Sequence, residues 1–185
     1  MPQLKMIFNA ENTPLPELTV ADGFDLRTIA DSELDPYNEL RSSVHFPAWT
    51  PEQFHQFRAK VLPDSIFLIV ETASGRFAAS ASAESSDMPE FPHIGVLGWV
   101  MTHPDFRGHH LGYSVSVASM HRLYEKGYRM FSLLTDDFRL AAVKTYLNLG
   151  WKPWLYLPEM EGRWRALAET LKRDYDSLGA LPEKI

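Results

Sequence analysis

Cysteine is absent from this 185-residue chain. That absence excludes disulfides, thiolate metal ligands and a cysteine nucleophile together. Basic charge is also scarce: 18 Lys and Arg stand against 24 Asp and Glu, a net charge of −6. A nucleic-acid surface needs clustered cations, so the balance argues against one, while leaving room for a local basic pocket around a small phosphorylated ligand. No run of apolar residues approaches the roughly 20 needed to span a bilayer. The first residues, MPQLKMIFNAENTP, show no long apolar stretch of the secretory kind. The expectation is a soluble, cytoplasmic chain. The seven histidines show no HxH or HExxH spacing, so no metal site is expected.

What is present reads as one globular domain: 45% hydrophobic residues and 23% charged ones suffice for a single core in a chain of this length. Residues 1–16, with Pro14 and Pro16 and no clear period, are expected to form a lead-in arm. A strand is expected around Phe24 to Ile29, then a helix capped by Asp31 or Ser32. TPEQF predicts a second helix with Thr50 as N-cap, Pro51 at its first position and Gln53 closing a capping box. SIFLIVE (65–71), a turn at 74–76 and the Ala/Ser strand 77–84 suggest an antiparallel hairpin. A loop, 85–94, leads to a buried strand over 95–102.

A helix follows over 111–126, ended by Gly127. FSLLT (131–135) is a further strand, after which Asp136 or Asp137 is expected to cap a helix reaching Leu149. WKPWLYL (151–157) supplies a last strand, and Trp164, Leu167, Ala168, Leu171 and Tyr175 the stripe of a closing helix. The fold expected is α/β (α+β), with a mixed, mostly antiparallel sheet flanked by helices. The last strand and closing helix either pair with a second copy, giving a homodimer, or complete the monomer.

The chemistry concentrates in DFRGHHLG, between a buried strand and a helix. A helix start offers unpaired N–H groups and the positive end of the macrodipole to an anion. Gly108 and Gly112 let a phosphate approach the backbone, and Arg107 adds a charge. The hexapeptide by itself leaves two readings open, a pyrophosphate seat or a turn glycine beside a solvated arginine. It lacks the glycine placement of GxxxxGK[ST] or GxGxxG, which disfavours an unrelated nucleotide-binding α/β domain.

Together with AVKTYLNLGW further on, this segment resembles the GNAT superfamily of N-acetyltransferases. Arg107, Gly108, Leu111 and Gly112 match the superfamily's cofactor loop; Ala142, Tyr146, Gly150 and Trp151 match its second motif. The spacing between Arg107 and Tyr146 is one helix, one strand and half a helix, as that fold requires. Two positions depart. His110 replaces the inner glycine and is accommodated if it keeps helical angles and turns its side chain away. Arg139 stands where relatives often carry Asn.

The resemblance covers 65–153 and implies acetyl-CoA as acyl donor, held by the strand backbone at Val100, Met101 and Thr102. The loop at Arg107, Gly108, His109, His110, Leu111, Gly112 and Tyr113 would take the pyrophosphate, with Arg139 as a further contact. It implies a splayed central strand pair, and Tyr146 as proton donor to the departing thiolate; alone, Tyr146 reads as a half-buried helix aromatic. The base is open between Glu84, His93 and Glu71, with His93 closest in ordinary pKa to the task. Phe46 and Trp49 are expected to line the acceptor pocket, as an alternative to serving as core. The acceptor is a primary amine of a small molecule or peptide, and the acidic balance favours a cationic one. A non-catalytic acyl-CoA-binding module is the competing expectation.

Overall fold

The computed structural model describes residues 2–182. Seven strands form one mixed sheet in the order β2-β3-β4-β5-β6-β1-β7. In chain order they are β1 (Leu4–Asn9), β2 (Phe24–Thr28), β3 (Val61–Glu71), β4 (Phe77–Ser86), β5 (Ile94–Thr102), β6 (Met130–Thr135) and β7 (Lys152–Trp154). The helices are α1 (Leu34–Ser43), α2 (Pro51–Lys60), α3 (Leu111–Glu125), α4 (Leu140–Asn148) and α5 (Met160–Thr170). Among the described residues no helix is long and apolar enough to cross a membrane.

All pairings of the seven are antiparallel except β5 with β6. Parallel neighbours need a crossover, and α3 provides it, packed on β3, β4 and β5. Small residues make that packing possible. Ala79, Ala81 and Ala83 of β4 are fully buried in one cluster with Val115, Ala118 and Leu123 of α3. The opposite face of the same strands carries α1 and α2, whose Tyr37, Leu40, Phe54 and Phe57 cluster with Ile66, Leu68 and Met101. Three serines inside α3 keep the helix polar-satisfied: Ser114, Ser116 and Ser119 return their hydroxyls to carbonyls four residues back.

Local signals were reliable where they were self-contained. Thr50 accepts from the Gln53 amide at 3.2 Å, and Gln53 accepts from the Thr50 amide at 2.9 Å, so α2 begins with the expected capping box. Several expectations need correction. The lead-in arm contains β1, lying between β6 and β7 with Leu4, Met6, Ile7 and Phe8 buried; a six-residue strand whose partners lie at the far end of the sequence leaves no local signature. Helix α1 has Glu33 at its N-cap without a side-chain bond, because the Glu33 carboxylate is taken by Arg27 and the Ala30 amide.

Neither Asp136 nor Asp137 caps α4, which starts at Leu140 after Arg139. Asp136 pairs with Arg139 and Asp137 with Arg163 of α5, so both carboxylates are engaged elsewhere. The strand expected over 151–157 ends at Trp154; the Leu155 amide donates instead to the Leu181 carbonyl at 2.9 Å.

Candidate active site

Strands β5 and β6 pair only at Gly95 with Phe131 and Val96 with Ser132. β5 then continues six residues to Thr102 and remains paired with β4. From Leu97 onward its other edge has no partner in β6. The His103 amide bonds the Ala78 carbonyl beside β4, so by alternation Met101 turns its backbone groups to β4 and Thr102 presents its own to an open wedge. Buried backbone groups in such a place call for a partner chain or an extended ligand.

At the wide end of the wedge β5 passes through a 3₁₀ turn, Pro104–Phe106, into the loop that starts α3. The His103 ring accepts from the Asp105 amide at 3.2 Å, and Asp105 pairs with Arg76 at 2.8 Å. That anchors the turn from β4's side. Arg107 and Gly108 are exposed; Gly108 has φ +89, and a side chain there would meet nothing within 4 Å. Gly112 is required for a different reason. A Cβ on it would lie 3.0 Å from Thr102 Oγ1, so the helix start rests directly on the end of β5. Within α3 the Ser114 amide bonds back to His110 at 3.1 Å, leaving the amides of Leu111, Gly112 and Tyr113 ahead of the helical ladder. Exposed glycine backbone, leading amides and the helix dipole suit a pyrophosphate.

His110 does not keep helical angles. It is the N-cap of α3 in the left-handed region, φ 57 and ψ 20, the conformation the replaced glycine would take without cost. Histidine is among the side chains found there more often than most. His109 packs its ring 5.2 Å from Phe24 of β2. With His110, Tyr113 and residues 19–21, it borders a depression of about 350 Å³ beside the loop.

Tyr146 projects from α4 into the cluster that holds Leu111, Val115 and Leu133. It is 5% exposed, and burial pushes its hydroxyl pKa well up, partly opposed by the Arg139 charge. It is therefore protonated across the physiological range and suited to donate. Glu84 lies on the other face of the sheet. Its carboxylate accepts from Ser82 Oγ at 2.7 Å and hangs over Gly98 of β5, where a Cβ would come within 2.3 Å of Oε1. Burial raises its pKa, with Ser82 and Lys60 opposing, a shift toward the range of a useful base. The wedge thus has a carboxylate on its α1/α2 face and a phenol on its α3/α4 face.

The other candidate bases lie elsewhere. His93 precedes β5 at the end remote from the loop, stacked on Tyr128 at 4.3 Å. Glu71 closes β3 and accepts from Ser74 Oγ at 2.5 Å.

Phe46 and Trp49 meet at Trp99, a residue of the cofactor strand whose side chain the sequence does not assign to the acceptor pocket. Opposite Ala81 of β4, β5 bulges, and Trp99 takes φ +48. The bulge turns Trp99 onto the α1/α2 face, where Trp49, Phe46 and Phe57 surround it at 4.9, 5.8 and 5.8 Å. Beneath them Arg41, 1% exposed, places its guanidinium 3.5 Å from the Trp49 ring centroid. Its Nε and Nη2 donate to the Pro47 carbonyl at 3.0 and 2.9 Å, which fastens the α1–α2 turn. A hydrophobic residue pattern could have flagged Trp99; nothing local marks Arg41.

Arg139 reaches this group. Its Nε lies 3.0 Å from Asp136, and its guanidinium lies over Phe46 at 5.2 Å. Among the described residues no cluster of three His, Asp or Glu side chains is arranged to hold a metal.

The model of the Acetyltransferase (GNAT) family matches residues 28–151. A mycothiol acetyltransferase from Nocardia farcinica is 33% identical over 147 residues, covering 75% of this chain and 48% of that protein. The chain therefore spans about half the length of the curated relatives it matches. Among solved structures, an N-acetyltransferase from Sphaerobacter thermophilus superposes with a TM-score of 0.62 at 19% identity, over 83% of this chain and 49% of that one. A tandem GNAT protein from the clavulanic acid biosynthesis pathway does so with 0.62 at 18%, over 83% and 50%. These two share the fold, and the family match spans the wedge, the loop and Tyr146 alike: the chain belongs to the GNAT family of acetyltransferases.

Proposed function

We propose that this chain transfers an acetyl group from acetyl-CoA to a primary amine by direct attack in a ternary complex. One observation carries the reading: the β5–β6 pairing stops after Val96 and Ser132, and the strand so released runs straight into an anion-suited helix start. The open edge of β5 between Val100 and Thr102, with Met101 holding the strand to β4, pairs with the pantetheine arm. Arg107 and the amides from Gly108 to Tyr113 hold the pyrophosphate. His110 contributes its backbone only, because its left-handed geometry aims the next amides along the helix axis.

Glu84 accepts a proton from the acceptor ammonium, which frees the nitrogen lone pair. The nitrogen bonds to the thioester carbonyl carbon, the C–S bond breaks, and Tyr146 gives its proton to the leaving thiolate. The acylated nitrogen sheds its second proton, which returns through water to the Tyr146 phenolate, and Glu84 gives its proton to solvent. The opposite placement of Glu84 and Tyr146 supports this division, since amine and thiol then occupy different faces of the wedge. Arg139 holds up the acceptor side and not the pyrophosphate.

The test is thermal shift and calorimetry with acetyl-CoA, followed by thiol release over an amine panel. Compounds related to mycothiol belong in the panel because of the relatives' name. Binding with turnover supports the proposal. Acetyl-CoA binding without turnover of any amine would favour a binding module, and absence of binding would reject both.

A further inference from the structure

The acceptor face buries several groups able to donate hydrogen bonds. Tyr37 Oη, Ser80 Oγ and Arg41 Nη1 are buried there without a hydrogen-bond partner. Arg41 and Ser80 face the Tyr37 hydroxyl at a separation that favours its ionised form only weakly against burial, so the three groups form one cluster in which no well-formed hydrogen bond is made among them. Each can donate, and the arginine can only donate. Arg41 has no carboxylate in salt-bridge contact among the described residues; its partner is a backbone carbonyl. A buried guanidinium held this way projects an uncompensated positive field through the thin aromatic layer above it.

That layer decides the sign of what can sit on it. Trp49 already has a cation against its π face at 3.5 Å, and the same guanidinium lies 4.9 Å from Trp99 and 5.7 Å from Phe46. Trp49, with one cation already this close, is a poor host for a second, which disfavours the box as an aromatic cage for a polyamine. On the far side of Phe46, at 5.2 Å, stands Arg139. Its ion pair with Asp136 runs through Nε, and neither Nη has a hydrogen-bond partner among the described residues. Arg139 is partly exposed, 5.6 Å from the ring of Phe138, which is 78% exposed. Arg41 and Arg139 both lie over Phe46, at 5.7 and 5.2 Å, two positive charges together in a chain whose total is negative.

We propose that the acceptor is an amine that also carries a negatively charged group, a carboxylate above all, and that Arg139 binds that group while Arg41 supplies a fixed field behind it. This rests on the acetyltransferase reading and replaces the cationic acceptor that overall composition favoured. The planar guanidinium of Arg139 matches a carboxylate in a bidentate fashion. The amine of the same molecule is left beside Glu84, which must take its proton.

The experiment compares matched acceptors differing only in the charge of interest: phenylalanine with phenylalaninamide, and glycine with glycinamide, with spermidine as the cationic control. Thiol release gives kcat/KM for each in wild type, Arg139→Gln and Arg139→Lys. Carboxylates should lead their amides by at least about tenfold, a lead that shrinks with added salt as a charge effect must. In Arg139→Gln the carboxylate-to-amide ratio should fall below about threefold, and Arg139→Lys should restore part of it. The ratio cancels any loss of donor binding. Amides or spermidine equal to or better than the carboxylates would overturn the inference while leaving acetyl transfer standing. So would a ratio untouched in Arg139→Gln. Silence with all five acceptors would remove the catalytic reading, and this inference with it.

Discussion

Glu84 and Tyr146 acquire opposite aptitudes from the same cause. Burial disfavours the charged form of each, which makes the carboxylate a better proton acceptor near neutrality and keeps the phenol a donor. For Glu84 the sign of the stability effect follows. Its folded pKa is raised above its unfolded value, so the folded state binds the proton more tightly, and stability declines as pH rises from the ordinary glutamate range through that raised value. Glu84→Gln should therefore raise the melting temperature at pH 7, as scanning calorimetry would read, while lowering kcat about 10²-fold. It should also abolish the acidic limb of the pH–rate profile, which in wild type lies above the ordinary glutamate pKa of about 4.3. A limb unchanged in the variant would assign the titration to another group.

Gly98→Ala probes the same carboxylate without touching it. A methyl group 2.3 Å from Oε1 forces the Glu84 side chain aside, and activity should drop by at least about tenfold with acetyl-CoA affinity retained. Tyr146→Phe removes only the donor. A fall in kcat of about 10²-fold, with the KM for acetyl-CoA little changed, is expected from stopped thiol-release assays. No change across pH would return Tyr146 to the role of a packed aromatic.

At the scale of elements, the start of α3 depends on one left-handed residue. His110→Val places a β-branched side chain at φ 57, a cost of about 1–2 kcal/mol, or a melting temperature lower by about 2–8 °C for a chain of this size. His110→Gly relieves the backbone but gains freedom when unfolded, so its melting temperature should stay within a few degrees of wild type. Equal melting temperatures for both variants would mean that the left-handed start does not hold in solution. This position also shows what sequence reading could not reach. A histidine inside a glycine motif was read as helical because nothing in the letters reports φ. The box around Trp99 was similarly hidden, being assembled from α1, the turn after it and a bulge in β5. By contrast, the Thr50–Gln53 cap, the DFRGHHLG loop and the AVKTYLNLGW helix were legible, since each is specified within about ten consecutive residues.

For the molecule as a whole, β1 joins one half of the sheet to itself. It pairs with β6 along its entire length and with β7 along three positions. Four of its side chains are buried, at about 1.5–3 kcal/mol each, a sum comparable with the whole stability of an ordinary domain. Deleting residues 2–12 should therefore leave the protein unfolded or insoluble, as circular dichroism and soluble yield would report. An arm without structural duty would be removed with no change in either.

The position of β1 also has a consequence for how the protein is made. Because β6 and β7 come late in the chain, β1 must wait through synthesis of β2 to α3 before either partner exists. The plate β2-β3-β4-β5 can assemble first, with α3 against it, while β1 remains an apolar strand without a ladder. Only when β6 arrives does the second plate close, and the junction it makes with the first is two residues long. Nascent chains paused before β6 should hold the first plate protected from hydrogen exchange and β1 exposed, available to chaperones that bind extended apolar segments. The seam proposed to take the cofactor is the seam that forms last.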